Sequence, residues 1–134
     1  MDRAESVALL LIAAAMISIP ALLIPDSSGA GTHEQLFVVP CIFHWLTGLP
    51  CPMCGMTTSL AHMARGEVAG AFAAHVLGPA LYVGSWLVGL RAGWGLALGV
   101  PAVPGWLRGR RCSQVALATI AAGWLVNLLR AIDG

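Results

Sequence analysis

Val7–Ile24 reads VALLLIAAAMISIPALLI and carries no charged side chain. As a helix rising ~1.5 Å per residue it is just long enough to cross the hydrocarbon core of a bilayer, so it predicts a first membrane span. A cleaved leader is the rival reading, because Pro25 breaks the run and Ser28-Gly29-Ala30 offers small residues to a peptidase. Against it, the apolar stretch outruns a usual leader core and only Arg3 precedes it as a basic residue.

The rest of the chain is as greasy as this segment. Of 134 residues 58% are hydrophobic and 10% charged, with no lysine and a mean hydropathy of +0.83. That balance lies outside the range of soluble domains and predicts an all-α integral membrane protein built as one domain over residues 1–134. A formal charge of +1 without a basic block leaves no footprint for nucleic acid. The partners it does imply are the lipid bilayer and other membrane subunits.

Two further runs follow. Val68–Leu90 is interrupted by His75 and Gly78-Pro79, which predicts a kinked second span. Ser113–Leu129, fenced by Arg110 and Arg111 before it and Arg130 after, predicts a third over about residues 113–130. Between them Ala92–Leu107 is apolar but broken by Pro101, Pro104 and several glycines, and reads as an interfacial loop anchored by Trp94 and Trp106. A fourth, broken span is its alternative.

Orientation follows from arginine. Arg91, Arg108, Arg110 and Arg111 fall in the segment 91–112, whereas residues 25–67 hold only Arg65. The positive-inside rule puts the arginine-rich loop in the cytoplasm and segment 25–67 on the outer face of the cell (inner) membrane.

That outer segment contains the chain's one dense chemical pattern. Pro40-Cys41-Ile42-Phe43-His44 is followed by Pro50-Cys51-Pro52-Met53-Cys54, so a Pro-Cys-x-x-ligand turn occurs twice. Two-residue spacing lets both side chains of a tight turn converge on one ion, and Cys41, His44, Cys51 and Cys54 together match the four ligands of a structural zinc site. Cys41, Cys51 and Cys54 are an odd set, with Cys112 on the inner side, so a complete disulfide pairing cannot be drawn. Gly48, Pro50, Pro52 and Gly55 shape the turns, and Gly55 follows Cys54 where a positive φ is often required.

Other readings of these residues stay open. A free cysteine in an apolar chain is commonly a small hydrophobe. A thiol–disulfide couple of Cys51 and Cys54 at a helix N-terminus is a second possibility, since the dipole there favours thiolate. Copper is a third, with Met53, Met56 and Met63 as soft ligands, although Met56, Leu60, Met63 and Ala64 also form the apolar stripe of a short interfacial helix. Thr57, Thr58 and Ser59 offer capping hydroxyls for that helix, and Arg65-Gly66 mark its end. His75 reads as a satisfied hydrogen-bonding group within the bundle, Asn127 as a helix-to-helix hydrogen bond, and His33 and His62 as solvated interface residues.

At these residues the chain resembles a family of small bacterial integral-membrane proteins classed as a domain of unknown function. Its hallmark is a cysteine, then Thr-Gly-Leu-Pro-Cys-Pro-x-Cys-Gly-x-Thr, then a short helix closing in Arg-Gly-Asp or a close variant. Cys41, Thr47–Thr57 and Arg65-Gly66-Glu67 match that pattern. The family has arginine where this chain has Thr58, and its hallmark does not fix a histidine at His44. The resemblance implies the topology and the three cysteines, and no established activity. No Ser-His-Asp set, carboxylate pair or phosphate loop stands in any segment, so the residues lean away from an enzyme.

Overall fold

In the computed structural model, residues 3–25, 32, 35, 42–48, 53, 55–100, 103, 105 and 109–133 are described. They form helices α1 (Arg3–Leu22), α2 (Ile42–Thr47), α3 (Met56–Ala64), α4 (Val68–Ala74), α5 (Gly78–Leu98) and α6 (Arg110–Asp133), with no strand among the described residues. Helices α1 and α6 are long and apolar enough to cross a membrane, and the bent pair of α4 and α5 raises the number of candidate spans to three.

The second apolar run departs from expectation. In place of one kinked helix over 68–90, the chain breaks at His75 and turns by 115° between α4 and α5. Proline explains the difference. Pro79 lies in the first turn of α5, where its missing N–H costs nothing and its fixed φ is already helical, so it starts a helix instead of bending one. His75 takes an extended conformation (φ −157°, ψ 126°), and the two helices part there.

A second correction concerns the segment read as an interfacial loop from Ala92. Helix α5 runs through to Leu98 and ends on Gly99 at φ 67°, so Trp94 stands on a helix. Interior glycines such as Gly93 and Gly95 weaken a helix without stopping it, and Pro101 lies beyond the end. Trp106 is outside the described residues. At the other boundaries α1 starts at Arg3 and contains Pro20, and α6 begins at Arg110, three residues ahead of the expected span.

Helices α1 and α5 form the main seam, and they run antiparallel. The C-terminal end of α1 is tied back by Gln35, whose amide bonds the Ile24 N–H and C=O at 3.0 and 2.6 Å. Thr32 then reaches Thr58 on α3, and Ser59 of α3 sits on Gly78 at the start of α5. The seam is closed by small residues: Ala13 and Ala92 are buried, and a Cβ on Gly89 would stand 3.2 Å from that of Ala13. In a bilayer, lipid is as apolar as leucine, so close backbone approach carries the packing. Large side chains point outward instead, with Leu11 65% and Leu22 84% exposed.

Among the described residues, helix α6 meets the rest through its C-terminal half. Gly123 accommodates Leu77, Asn127 Oδ1 accepts the Val76 N–H at 3.5 Å, and Arg130 donates to the Phe72 carbonyl at 3.0 Å. Positions 123, 127 and 130 share one helical face, and it lies against the break.

These contacts set two expectations. Gly78→Ala places a methyl where Ser59 stands and should cost about 1–3 kcal/mol by overpacking, read as a lower unfolding midpoint in detergent. Gly123→Leu should raise hydrogen exchange across 110–133 and leave the protection of α1 and α5 unchanged.

Candidate functional site

The cysteine-bearing stretch of the sequence ends where α3 begins. The Met56 N–H bonds the Met53 carbonyl at 3.1 Å, and Gly55 between them lies at φ 81°, ψ −9°. Those angles are what a type II turn requires of its third residue, where a Cβ would be strained. The Ser59 N–H then closes the first helical bond on Gly55 at 2.8 Å. Gly48 after α2 and Gly66 after α3 also lie at positive φ. Helix α3 ends at Ala64, with the Arg65 and Gly66 N–H groups returning to His62 and Met63.

Behind this turn the interior is polar. Among the described residues, the largest fully buried side chains are His75, Thr32, Thr58 and Ser59. Each group must be satisfied internally, because an unpaired polar atom in a dry site costs about 1–3 kcal/mol. Thr32 and Thr58 share a 2.8 Å hydroxyl–hydroxyl bond. Ser59 Oγ donates to the Ala71 carbonyl at 2.7 Å and lies 3.3 Å from that of His75. By position these hydroxyls would cap α3, yet its N-terminus has no side-chain cap: Thr58 and Ser59 reach other segments.

Ser59 reinforces the end of α4 beside the break. A helix leaves its last carbonyls without helical partners, and α4 ends inside the structure. Ala71 C=O receives the His75 N–H at 3.0 Å as well as Ser59, and Phe72 C=O receives Arg130. A cation there also meets the negative end of the helix dipole.

His75 is buried, and its Nδ1 accepts the Leu77 N–H at 3.2 Å. Accepting that bond leaves Nδ1 without a proton, so neutral His75 carries its hydrogen on Nε2. The ring is therefore set as a donor. Asn127 does join two segments as its position predicted, and because Oδ1 must face the Val76 N–H, its Nδ2 is left without a partner. His62 is part-exposed and bonds Glu67 at 2.6 Å across the α3–α4 turn, with Gly70 beneath its ring.

The proposed ligands Cys41, Cys51 and Cys54, with Pro50 and Pro52, lie outside the described residues, as does the side chain of His44, whose backbone belongs to α2. Among the described residues no three of His, Cys, Asp and Glu come together. Met56 and Leu60 are buried, as the apolar stripe requires, whereas Met53 is 58% exposed. Cys112 is half-buried near the start of α6.

Sequence reasoning missed Ser59 as an interior residue, and the signal was present. Met56, Ser59, Leu60 and Met63 fall at helical spacing, so the stripe that buries Met56 also carries Ser59 inward.

Residues 41–89 match the model of a family described as a protein of unknown function (DUF2752). No curated protein and no solved structure matches the chain. The matched stretch contains α2, α3, α4, the break and α5 as far as Gly89.

Ser59→Ala leaves the Ala71 carbonyl with one partner fewer and should lower unfolding stability by about 1–3 kcal/mol. Glu67→Gln, which alters the part-exposed His62–Glu67 hydrogen bond, should change it by less than about 1 kcal/mol. The two are compared by thermal unfolding in one detergent; similar losses would show that the hydroxyl is not the tie described above.

Proposed function

We propose that this chain is an accessory or interaction subunit of a larger assembly in the cell (inner) membrane, with a structural metal site in an outward-facing cap. Helices α1, α5 and α6 cross the bilayer, and α3 and α4 lie at its outer interface. Cys41, Cys51, Cys54 and His44 hold the ion, with zinc favoured.

One observation carries this reading: helix α3, which follows Cys54 in the sequence, carries Thr58 and Ser59 of a buried, hydrogen-bonded group of hydroxyls with His75 nearby. A closed four-ligand ion suits a structural role there, since a catalytic zinc keeps one position open for water. The arginines agree with the orientation. Arg3, Arg110 and Arg111 lie at helix ends remote from α3, and Arg91 is on the half of α5 away from it. That end is cytoplasmic by the positive-inside rule.

A thiol–disulfide role for Cys51 and Cys54 has its own support. Gly55 caps α3 without a side-chain oxygen, so N–H groups and dipole at that N-terminus remain available to a thiolate.

Metal content measured beside the free-thiol count separates these readings. Stoichiometric, tightly held zinc is the expected result. A metal-free protein with a reducible Cys51–Cys54 bond would favour redox chemistry, and labile copper would favour metal handling. Each of Cys41→Ser, Cys51→Ser and Cys54→Ser should lose the metal and destabilise the fold to a similar degree. Zinc binding in small finger peptides is worth about 10–16 kcal/mol, so part of that would weigh heavily against a typical margin of about 5–15. His44→Ala decides the fourth ligand: a loss equal to a cysteine change assigns it, and silence with a costly His62→Ala moves the assignment to His62.

Topology is tested independently. After reduction and metal stripping, a membrane-impermeant thiol reagent on intact cells should label the loop cysteines and spare Cys112. Labelling of Cys112 alone would invert the orientation.

A further inference from the structure

Helix α2 stands apart from the bundle. Ile42, Trp45 and Leu46 fall at i, i+3 and i+4, which puts them on one helical face. They are 63%, 81% and 68% exposed, and among the described residues no Cα of α2 lies within 8 Å of one in another helix. The surrounding sequence is bare of charge: from Gln35 to Ala64 it contains no Asp, Glu, Lys or Arg. A segment of that length facing water would ordinarily carry such side chains.

We propose that α2 is an interfacial anchor, with Ile42, Trp45 and Leu46 set into the bilayer at the level where acyl chains meet headgroups. The proposal rests on α1 crossing the bilayer and is independent of any metal. The chain brings this face to the membrane. Gln35 is bonded to Ile24 just past the end of α1, and the Met53 carbonyl to the Met56 N–H at the start of α3. Fully extended, the links from Gln35 to Ile42 and from Thr47 to Met53 span at most roughly 25 and 22 Å. Helix α2 is thus tethered on both sides to the end of the bundle where α1 leaves the hydrocarbon. At that end Val68 and Phe72 of α4 are exposed as well, so apolar surface continues past the long helices.

Size and chemistry select lipid over protein. A stable protein interface takes ~20–30 residues from each side, and three side chains of a 6-residue helix offer far less. A bilayer sets no such minimum, because each apolar side chain inserts independently. The indole of Trp45 suits that depth, with an apolar body for the acyl chains and an N–H for the headgroups. Cys41 directly precedes Ile42 in the chain, so the depth of α2 sets the level at which that thiol meets other molecules.

The test uses the full chain in nanodiscs, with the emission of Trp45 taken as the difference between the wild type and Trp45→Phe. Lipids brominated near the headgroup end of the acyl chain should quench it about twofold more than lipids brominated near the terminal methyl, as insertion by ~5–10 Å requires. Aqueous iodide should quench it less than either. Leu46→Asp puts a carboxylate into the face; it should make iodide the strongest quencher and leave the unfolding midpoint in detergent unchanged. Strongest quenching by iodide in the wild type overturns the proposal, and so does a lowered midpoint in Leu46→Asp, which would show the face packed on protein. Shielding of Trp45 from all three quenchers also overturns it and assigns the face to a second copy where dilution to one chain per disc restores quenching, or to another part of the chain where it does not. Release of the chain from cell membranes by alkaline carbonate would fail the spanning helices themselves, and the anchor with them, whereas a carbonate-resistant chain with Trp45 open to iodide fails the anchor alone.

Discussion

The Ser59 hydroxyl, seated where Gly78 has no side chain and bonded to the Ala71 carbonyl, is the contact on which the rest of the arrangement depends. A chain that breaks its helix beside a bilayer must find partners inside the protein for every backbone group it frees. Side chains meet that demand at this break: Arg130 for the Phe72 carbonyl, and His75 Nδ1 and Asn127 Oδ1 for the N–H groups of Leu77 and Val76, while Ser59 adds a second donor to the Ala71 carbonyl. They come from three separate parts of the sequence. The break is thus the point where α3 and α4, the main seam and α6 meet.

That convergence explains the composition of the interior. A bundle of this size has little room for a core of large side chains, and its buried apolar residues are mostly alanines, with Leu23, Leu60 and Met56 as the larger members. Small residues bring backbones together, and hydroxyls then join backbones that have come close. Overpacking at Gly78 and loss of the hydroxyl at Ser59 therefore act on one joint from opposite sides, and their effects should not be additive.

Much of the fold was legible in the sequence because it rests on local signals. The uncharged run ending near Ile24 gave α1, the flanking arginines gave α6, and Arg65-Gly66 gave the end of α3. Asn127, the polar side chain of an apolar run, announced a hydrogen bond to another segment, although its partner Val76 lies in the break and not on a helix. What could not be read there is long-range. Pro79 marks a discontinuity, but whether it bends a helix or begins one depends on what receives the freed groups, and Arg130 and Ser59 lie far away along the chain. Thr58 and Ser59 fit a cap by position, yet Thr32 and Ala71 compete for the same hydroxyls and win. Of the candidate site, Gly55 has the geometry of its turn, while Cys41, Cys51 and Cys54 fall outside the described residues.

The distribution of contacts along the membrane normal has a further implication. Gly123, Asn127 and Arg130 fasten α6 near the cap, and Thr32 and Gln35 tie the end of α1 there too, so polar bonding accumulates at one end of the bundle. Towards Arg110 and Leu98 the helices present apolar surface and glycine. Hydrogen bonds fix geometry, whereas hydrocarbon contact is as readily made with lipid as with protein. The end of the bundle at α3 and α4 is consequently the specified end. Towards Arg110 and Leu98 fewer such ties occur among the described residues, and α6 is held less closely there.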